Sequence, residues 1–333
     1  MMIERAPLRH PMDESDVTLR AWREPADAET ISNMLNTCMA ADGIDIDRSP
    51  EHVRNYLAHF PGMDPTQDTF LLEMDGELVA YGDVTWTDEI NGPRVYRSDP
   101  YVLPRFRKTG VPSLLLNHMF DRVQALAAEH SFTGPRAIHV SLGEKEHELR
   151  EIVESLGFKP ERTFYRMVRP NLENIPDLPL PDGLEIRPTQ PEHYRAIYNA
   201  MKEAFEDHWG SRRGSEDEYQ LWLNDPDADP ELWQIAWKGD QVAGMVLNFI
   251  DERENRRYDR SRGYTEDICV RRPWRRKGLA RALIAHSLTK LADAGMKEAA
   301  LGVDSDNQTG ALNLYEGLGY EPRWKFFALR KPF

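Results

Sequence analysis

The chain has 333 residues, more than one compact core of about 150 residues usually holds, so two domains are expected. A 40% hydrophobic, 29% charged composition suits a globular protein, no apolar run reaches the roughly 18 residues of a membrane span, and the start Met1–Arg5 lacks the apolar core of a secretion signal. The formal net charge of −14 repels nucleic-acid phosphates and favours cationic small molecules, while two distant cysteines, Cys38 and Cys269, exclude a disulfide scaffold or a zinc cluster.

A cytoplasmic protein with no metal, membrane or nucleic-acid partner is therefore expected; oligomeric state is not legible. In chain order, a short strand ending in arginine, Val17–Arg20, precedes a helical pattern at Ala28–Asn36. A hairpin follows, Thr69–Met74 turning at Asp75-Gly76 into Leu78–Val84. After a proline-rich stretch the same order returns: Leu184–Arg187, a helix over Pro191–Phe205, and a hairpin Leu232–Trp237 turning at Gly239-Asp240 into Val242–Leu247.

The register is steady, since Gly76 pairs with Gly239 and Gly157-Phe158 with Gly319-Tyr320, offsets of 163 and 162 residues. A tandem duplication explains this better than chance. We expect an α/β (α+β, mixed-sheet) fold in two repeated domains: a degenerate one over 1–170, a linker over 171–183, and a working one over 184–333. Prolines 170, 176, 179 and 181 suit an extended linker because they cannot continue a helix or a central strand.

The second half continues with a charged stretch, Asp251–Arg262, read as an exposed loop. Then come a strand over Tyr264–Val270, a basic turn over Arg271–Lys277 and a helix over Gly278–Ala292 with apolar Leu279, Leu283, Ile284, Leu288 and Leu291. Ala299–Val303 reads as a buried strand. Asp304–Asn307 offers N-caps for a last helix, Gly319 suits its C′ position, and a strand around Trp324–Leu329 closes the half.

The strand that runs through a turn of Arg275, Arg276 and Lys277 into Gly278-Leu279-Ala280 is the informative feature. The first helical N–H groups lack partners and carry partial positive charge, so a pyrophosphate is a matching guest. Gly278 and Ala280 allow close approach to the backbone. Neither the three-glycine dinucleotide spacing nor the Walker lysine-serine pair is present, which disfavours NAD and ATP.

Val270-x-x-Pro273-x-Arg275-x-x-Gly278-x-Ala280 resembles the acetyl-CoA signature of the GNAT (GCN5-related N-acetyltransferase) superfamily, and Asn307–Tyr320 resembles its last conserved segment. The duplicated layout is similar to the tandem members typified by mycothiol synthase. The resemblance implies an acetyl-CoA-dependent N-acetyltransferase (acetyl-CoA as co-substrate) that acylates a primary amine of a small molecule by direct attack in a ternary complex. It implies that Ile268, Cys269 and Val270 contact pantetheine through the backbone, that Arg275, Arg276, Lys277, Gly278, Leu279 and Ala280 hold the pyrophosphate, and that Asn307 bonds the CoA arm. Tyr315 is then the general acid, and Glu266 the expected base, with Glu252 an alternative. Strand alternation sends only one of Glu266 and Asp267 toward the cleft. His208 and Trp209 fall where such proteins often line the acceptor site.

Cys269 reads as a small buried strand residue rather than a nucleophile. In the first half the equivalent turn keeps Arg107-x-x-Gly110 but places Pro112 where a small residue belongs. Val153 stands opposite Tyr315 and Lys145 opposite Asn307, so that half is expected not to catalyse. The rival from another class is a non-catalytic acyl-CoA-binding or regulatory protein.

Overall fold

A computed structural model of the protein describes residues 3–7, 16–23, 26–90, 92–307 and 310–333. Its elements run β1 (Thr18–Arg20), α1 (Asp27–Ala41), α2 (Pro50–His59), α3 (Pro65–Asp68), β2 (Thr69–Met74), β3 (Glu77–Asp88), β4 (Arg94–Val102), α4 (Val111–Glu129), β5 (Arg136–Gly143), α5 (His147–Ser155) and β6 (Lys159–Arg169). They continue with β7 (Glu185–Ile186), α6 (Tyr194–Phe205), α7 (Glu216–Leu223), β8 (Gln234–Lys238), β9 (Gln241–Phe249), α8 (Glu252–Arg257), β10 (Arg262–Val270), α9 (Leu279–Asp293), β11 (Glu298–Asp304), α10 (Ala311–Glu316) and β12 (Glu321–Pro332). The fold is mixed α/β, and no helix among the described residues is long and apolar enough to cross a membrane.

Two compact units divide the chain. Unit 1 comprises Met1–Thr163, Ser215–Asn224 and Phe326–Phe333. Its strands follow the order β1, β2, β3, β4, β5 and then the 326–332 part of β12; only the β4/β5 pair is parallel. Unit 2 comprises Phe164–Gly214 and Asp225–Lys325. Its order is β7, β8, β9, β10, β11 and then the 164–169 part of β6, with β10/β11 as the parallel pair. The two units thus repeat one strand plan, yet each takes its last strand from the other half of the sequence. Arg330 fixes that strand within unit 1 through a buried ion pair with Glu89, whose Oε2 lies 3.0 Å from Nη1.

Apolar periodicity accounts for the helices that cover the strands. In unit 1, Leu115, Leu116, Met119, Phe120 and Val123 of α4 pack with Leu72, Val79, Val84 and Ile138. In unit 2, Leu279, Leu283, Ile284, Leu288 and Leu291 of α9 pack with Ala236, Ala243, Val246 and Leu301. The segment 171–183 forms no helix or strand, and its Leu172, Ile175 and Leu180 pack against the unit 2 core. Arg169 anchors its start by donating Nε to Asn171 O at 2.9 Å and Nη2 to Glu173 O at 2.7 Å.

One sequence reading is corrected. The charged stretch after β9 is not an exposed loop: it holds α8, with Asp251 as N-cap accepting from Glu254 N at 2.8 Å. Charge concealed its burial, because Glu254 faces inward to Arg260 and the Tyr264 hydroxyl. Glu252 stays exposed in the first turn.

Candidate active site

Strand β10 brings the chemistry together. Its pairing with β9 is regular through Glu266, opposite Leu247, and resumes at Cys269, opposite Met245. The residues between form a bulge in which Asp267 adopts φ 47°, a left-handed backbone unusual for a residue with a side chain. The bulge breaks the alternation that strand geometry leads one to expect for Glu266 and Asp267. The counterpart β4 of unit 1 pairs with β3 without interruption from Arg94 to Val102.

The two carboxylates have different surroundings. Glu266 is ion-paired with Arg166 of β6 and lies 3.4 Å from Gly302 N. Asp267 is partly buried and has no hydrogen-bond partner among the described residues. Burial, then the neighbouring charges of Glu266 and Asp225, push its carboxyl up to about 7, against the pull of Lys202. The Cys269 thiol is buried and burial raises its pKa further, so the thiol stays protonated.

Past Val270 the chain makes a single 3-10 turn and enters the basic loop. Arg276 and Gly278 both have positive φ, 60° and 84°. Gly278 caps α9, and the helical ladder opens with Ala282 N to Gly278 O at 3.1 Å, so the earlier amides of the first turn keep no helical acceptor. A Cβ on Gly278 would meet nothing within 4 Å, which leaves space over the loop for an anionic guest. Arg276, Lys277 and Gly278 are exposed, although Lys277 Nζ also reaches Pro273 O at 2.8 Å.

Arg275 points elsewhere. Its Nε donates to Val270 O at 2.9 Å, Nη1 to Asp207 at 2.7 Å and Nη2 to Ala204 O at 2.9 Å. The side chain therefore stitches the loop to the end of α6. Arg271 pairs with Glu203 at 2.7 Å and Arg272 with Asp207 at 2.7 Å in the same way.

Tyr315 comes from α10, which ends in a Schellman arrangement. Gly319, φ 85°, donates to Glu316 O at 2.9 Å and Tyr320 N to Tyr315 O at 3.0 Å. The ring is buried with Leu279 and Leu283, 6.2 Å from the Tyr320 ring, and its hydroxyl has no hydrogen-bond partner among the described residues. Burial, then the charge of Glu266, raises the phenol pKa above its ordinary value. Unit 1 repeats this turn: Gly157, φ 90°, donates to Glu154 O at 3.0 Å and Phe158 N to Val153 O at 3.1 Å. Val153 thus occupies the Tyr315 position and is fully buried, with no proton to give.

Asn307 lies in the turn before α10, its N–H 3.2 Å from Asp304 O and its carbonyl accepting from Gly310 N at 3.3 Å. The N-cap is Gly310, not one of the residues Asp304–Asn307, because the helix begins only at Ala311. Gln308 and Thr309 of the expected CoA-arm segment lie outside the described residues. His208 follows α6, its ring 4.6 Å from Phe205, with burial and then Arg275 lowering its pKa; Trp209 lies 6.1 Å from Phe164.

The unit 1 loop has a different interior. Gly110 has an ordinary φ of −73°, Val111 N is taken by Thr109 Oγ1 at 3.2 Å, and Pro112 offers no N–H. Two of the amides that would meet a phosphate are thereby removed.

Arg166, Asp207 and the bulge at Asp267 were invisible to motif reading. Arg166 lies 100 residues before Glu266, and a bulge leaves no residue-type signature when neither of its residues is glycine. A carboxylate just beyond a helix C-terminus, where the dipole disfavours it, was the one available hint for Asp207.

The sequence profile described as the acetyltransferase (GNAT) family matches residues 194–320. The mycothiol acetyltransferase of Thermobispora bispora is 26% identical over 305 residues, covering 90% of this chain and 94% of that protein. That of Catenulispora acidiphila is 27% identical, covering 92% and 96%. A GCN5-related N-acetyltransferase structure from Sphaerobacter thermophilus superposes with a TM-score of 0.71 at 28% identity, covering 95% of this chain and 96% of that one. A tandem GNAT protein from the clavulanic acid biosynthesis pathway shares the fold, with a TM-score of 0.66 at 12% identity over 95% of this chain and 98% of that one.

Proposed function

We propose that the chain is a tandem acetyltransferase of the GNAT type, in which unit 2 transfers an acetyl group from acetyl-CoA to a primary amine of a small molecule and unit 1 does not catalyse; the profile match over residues 194–320 and the likeness to acetyltransferases along most of the chain support this reading. The observation that carries this reading is the bulged end of β10 running directly into an open, αL-capped helix start, a combination unit 1 lacks. Acetyl-CoA supplies an activated thioester; the free first-turn amides of α9, with Arg276 and Lys277, suit its pyrophosphate, and the open space at Gly278 fits close approach. Asn307, in the turn ahead of α10, holds the CoA arm.

The backbone of Ile268, Cys269 and Val270 holds the pantetheine arm, and one N–H among them orients the acetyl carbonyl as a preset donor. Direct attack in a ternary complex is favoured over a cysteine-bound acyl group because the Cys269 thiol is buried and held protonated. Glu266 and Asp267 work as a pair. Glu266 is ion-paired with Arg166, and its charge helps raise Asp267, which takes a proton from the acceptor ammonium near neutral pH so that the neutral amine attacks. Tyr315, kept protonated by burial, returns a proton to the leaving thiolate.

The desacetyl precursor of mycothiol is the first acceptor to test, given the named relatives. The test is CoA release with that amine and a panel of aminoglycosides and polyamines. Turnover on any of them supports the reading, whereas acetyl-CoA binding without turnover on all of them favours a non-catalytic acyl-CoA sensor.

A further inference from the structure

We infer that Asp207 is a positioning residue for the phosphate loop: it fixes the loop through Arg275 and Arg272 without touching the cofactor. The inference rests on the reading of unit 2 as the acetyl-CoA site. Three donors converge on this one carboxylate: Arg272 Nε at 3.1 Å, Arg272 Nη2 at 2.7 Å and Arg275 Nη1 at 2.7 Å. Arg275 spends its remaining reach on two backbone carbonyls, Val270 O at the end of β10 and Ala204 O in the last turn of α6. One planar guanidinium thus spans a strand end, a helix end and the loop between β10 and α9, which is the geometry its rigid fork suits.

The same clasp recurs in unit 1 from different residues. Arg107 donates Nε to Val102 O at 3.2 Å and its two terminal nitrogens to Asp42 at 2.6 and 2.7 Å. Asp42 is the C-cap of α1, as Asp207 follows the end of α6. A carboxylate at the C-terminal end of a helix opposes the dipole, so its placement twice calls for the arginine that answers it. The clasp survives in unit 1 although the amides of that loop are blocked, which separates holding the loop from binding phosphate.

Charge gives the test an opposite sign for the two possible roles. Asp207 is an anion beside a loop that receives a polyanion, so on electrostatics alone removing its charge should tighten acetyl-CoA binding. As a positioning residue its loss should weaken it. Calorimetry on the full chain should show Asp207→Asn binding acetyl-CoA about tenfold more weakly, the fold-change that losing about one charge-assisted hydrogen bond corresponds to. KM for acetyl-CoA should rise with kcat nearly kept, and Asp207→Glu should restore part of the affinity. Equal or tighter binding by a folded Asp207→Asn protein overturns the inference. Arg275→Lys is the second arm: it keeps the charge and loses the fork, so affinity should fall, and retained affinity counts against the clasp. Wild-type protein that fails to bind acetyl-CoA instead overturns the reading of unit 2, and the clasp's role with it.

Discussion

Arg166 holds Glu266 in an ion pair while its guanidinium lies 5.4 Å from the centre of the Tyr264 ring and 5.6 Å from that of Trp324. Aromatic faces stabilise the cation, and the ion pair holds the Glu266 carboxylate next to Asp267. The activity should therefore follow Asp267. In kcat/KM profiles the acid limb should fall near pH 7, where Asp267 titrates. Glu266→Gln should move that limb to lower pH by removing a like charge. Asp267→Asn should abolish the limb and cost about 10²–10⁴ in rate, the usual worth of a general base. An unchanged profile in Asp267→Asn would remove it from the mechanism.

Stability should run the other way at the same residue. The folded Asp267 carboxyl holds its proton up to about 7, against an ordinary 3.8. Its contribution is fully present below pH 4 and is lost as pH rises through 7, because the fold must then bury a charge. Asp267→Asn should raise the melting point at pH 8 by the equivalent of about 1–3 kcal/mol and leave it unchanged at pH 4. Thermal melts at the two pH values measure this.

Tyr315→Phe keeps the ring that packs on Leu279 and Leu283 and deletes only the hydroxyl. Turnover should fall by about 10²–10⁴ with acetyl-CoA affinity unchanged, as expected for a general acid. A rapid-quench comparison of transfer rate and a binding titration separate the two.

Glycines at matched loop positions should differ. Gly278 sits at φ 84° in open space, so Gly278→Ala meets strain rather than a clash. A left-handed residue with a Cβ costs about 1–2 kcal/mol, and acetyl-CoA binding should weaken accordingly. Gly110 has φ −73°, so Gly110→Ala meets no such backbone strain and should leave acetyl-CoA binding near wild type. Parallel melts and cofactor titrations on the two variants check the contrast.

Glu89→Gln should destabilise unit 1 by up to about 3 kcal/mol, because it leaves the buried Arg330 guanidinium with only the more exposed and more distant Glu161, at 3.7 Å, as counter-charge. Denaturant unfolding of the variant, with loss of protection in 326–332 by hydrogen exchange, would show it.

Much of this was legible in sequence, because local chemistry leaves residue types at fixed places. The duplicated hairpins, the basic turn ahead of a helix, and the C′ glycines at 157 and 319 each follow from backbone needs that only certain residues meet. The aligned loss of Tyr315 to Val153 followed from that same register. The charged stretch at 251–262 misled, since pairing with Arg260 and Tyr264 buries Glu254 despite its charge.

By itself, then, the sequence determined the repeated α/β plan and the loop at Arg275–Ala280, since propensity, turn chemistry and helix-end electrostatics act over a few residues. Tertiary structure decided which last strand completes each unit, that β10 breaks at Asp267, that Arg166 answers Glu266, and that Arg275 grips Asp207 and two carbonyls. Those outcomes depend on contacts between residues far apart in the chain, and no spacing along it records which carboxylate a guanidinium will meet.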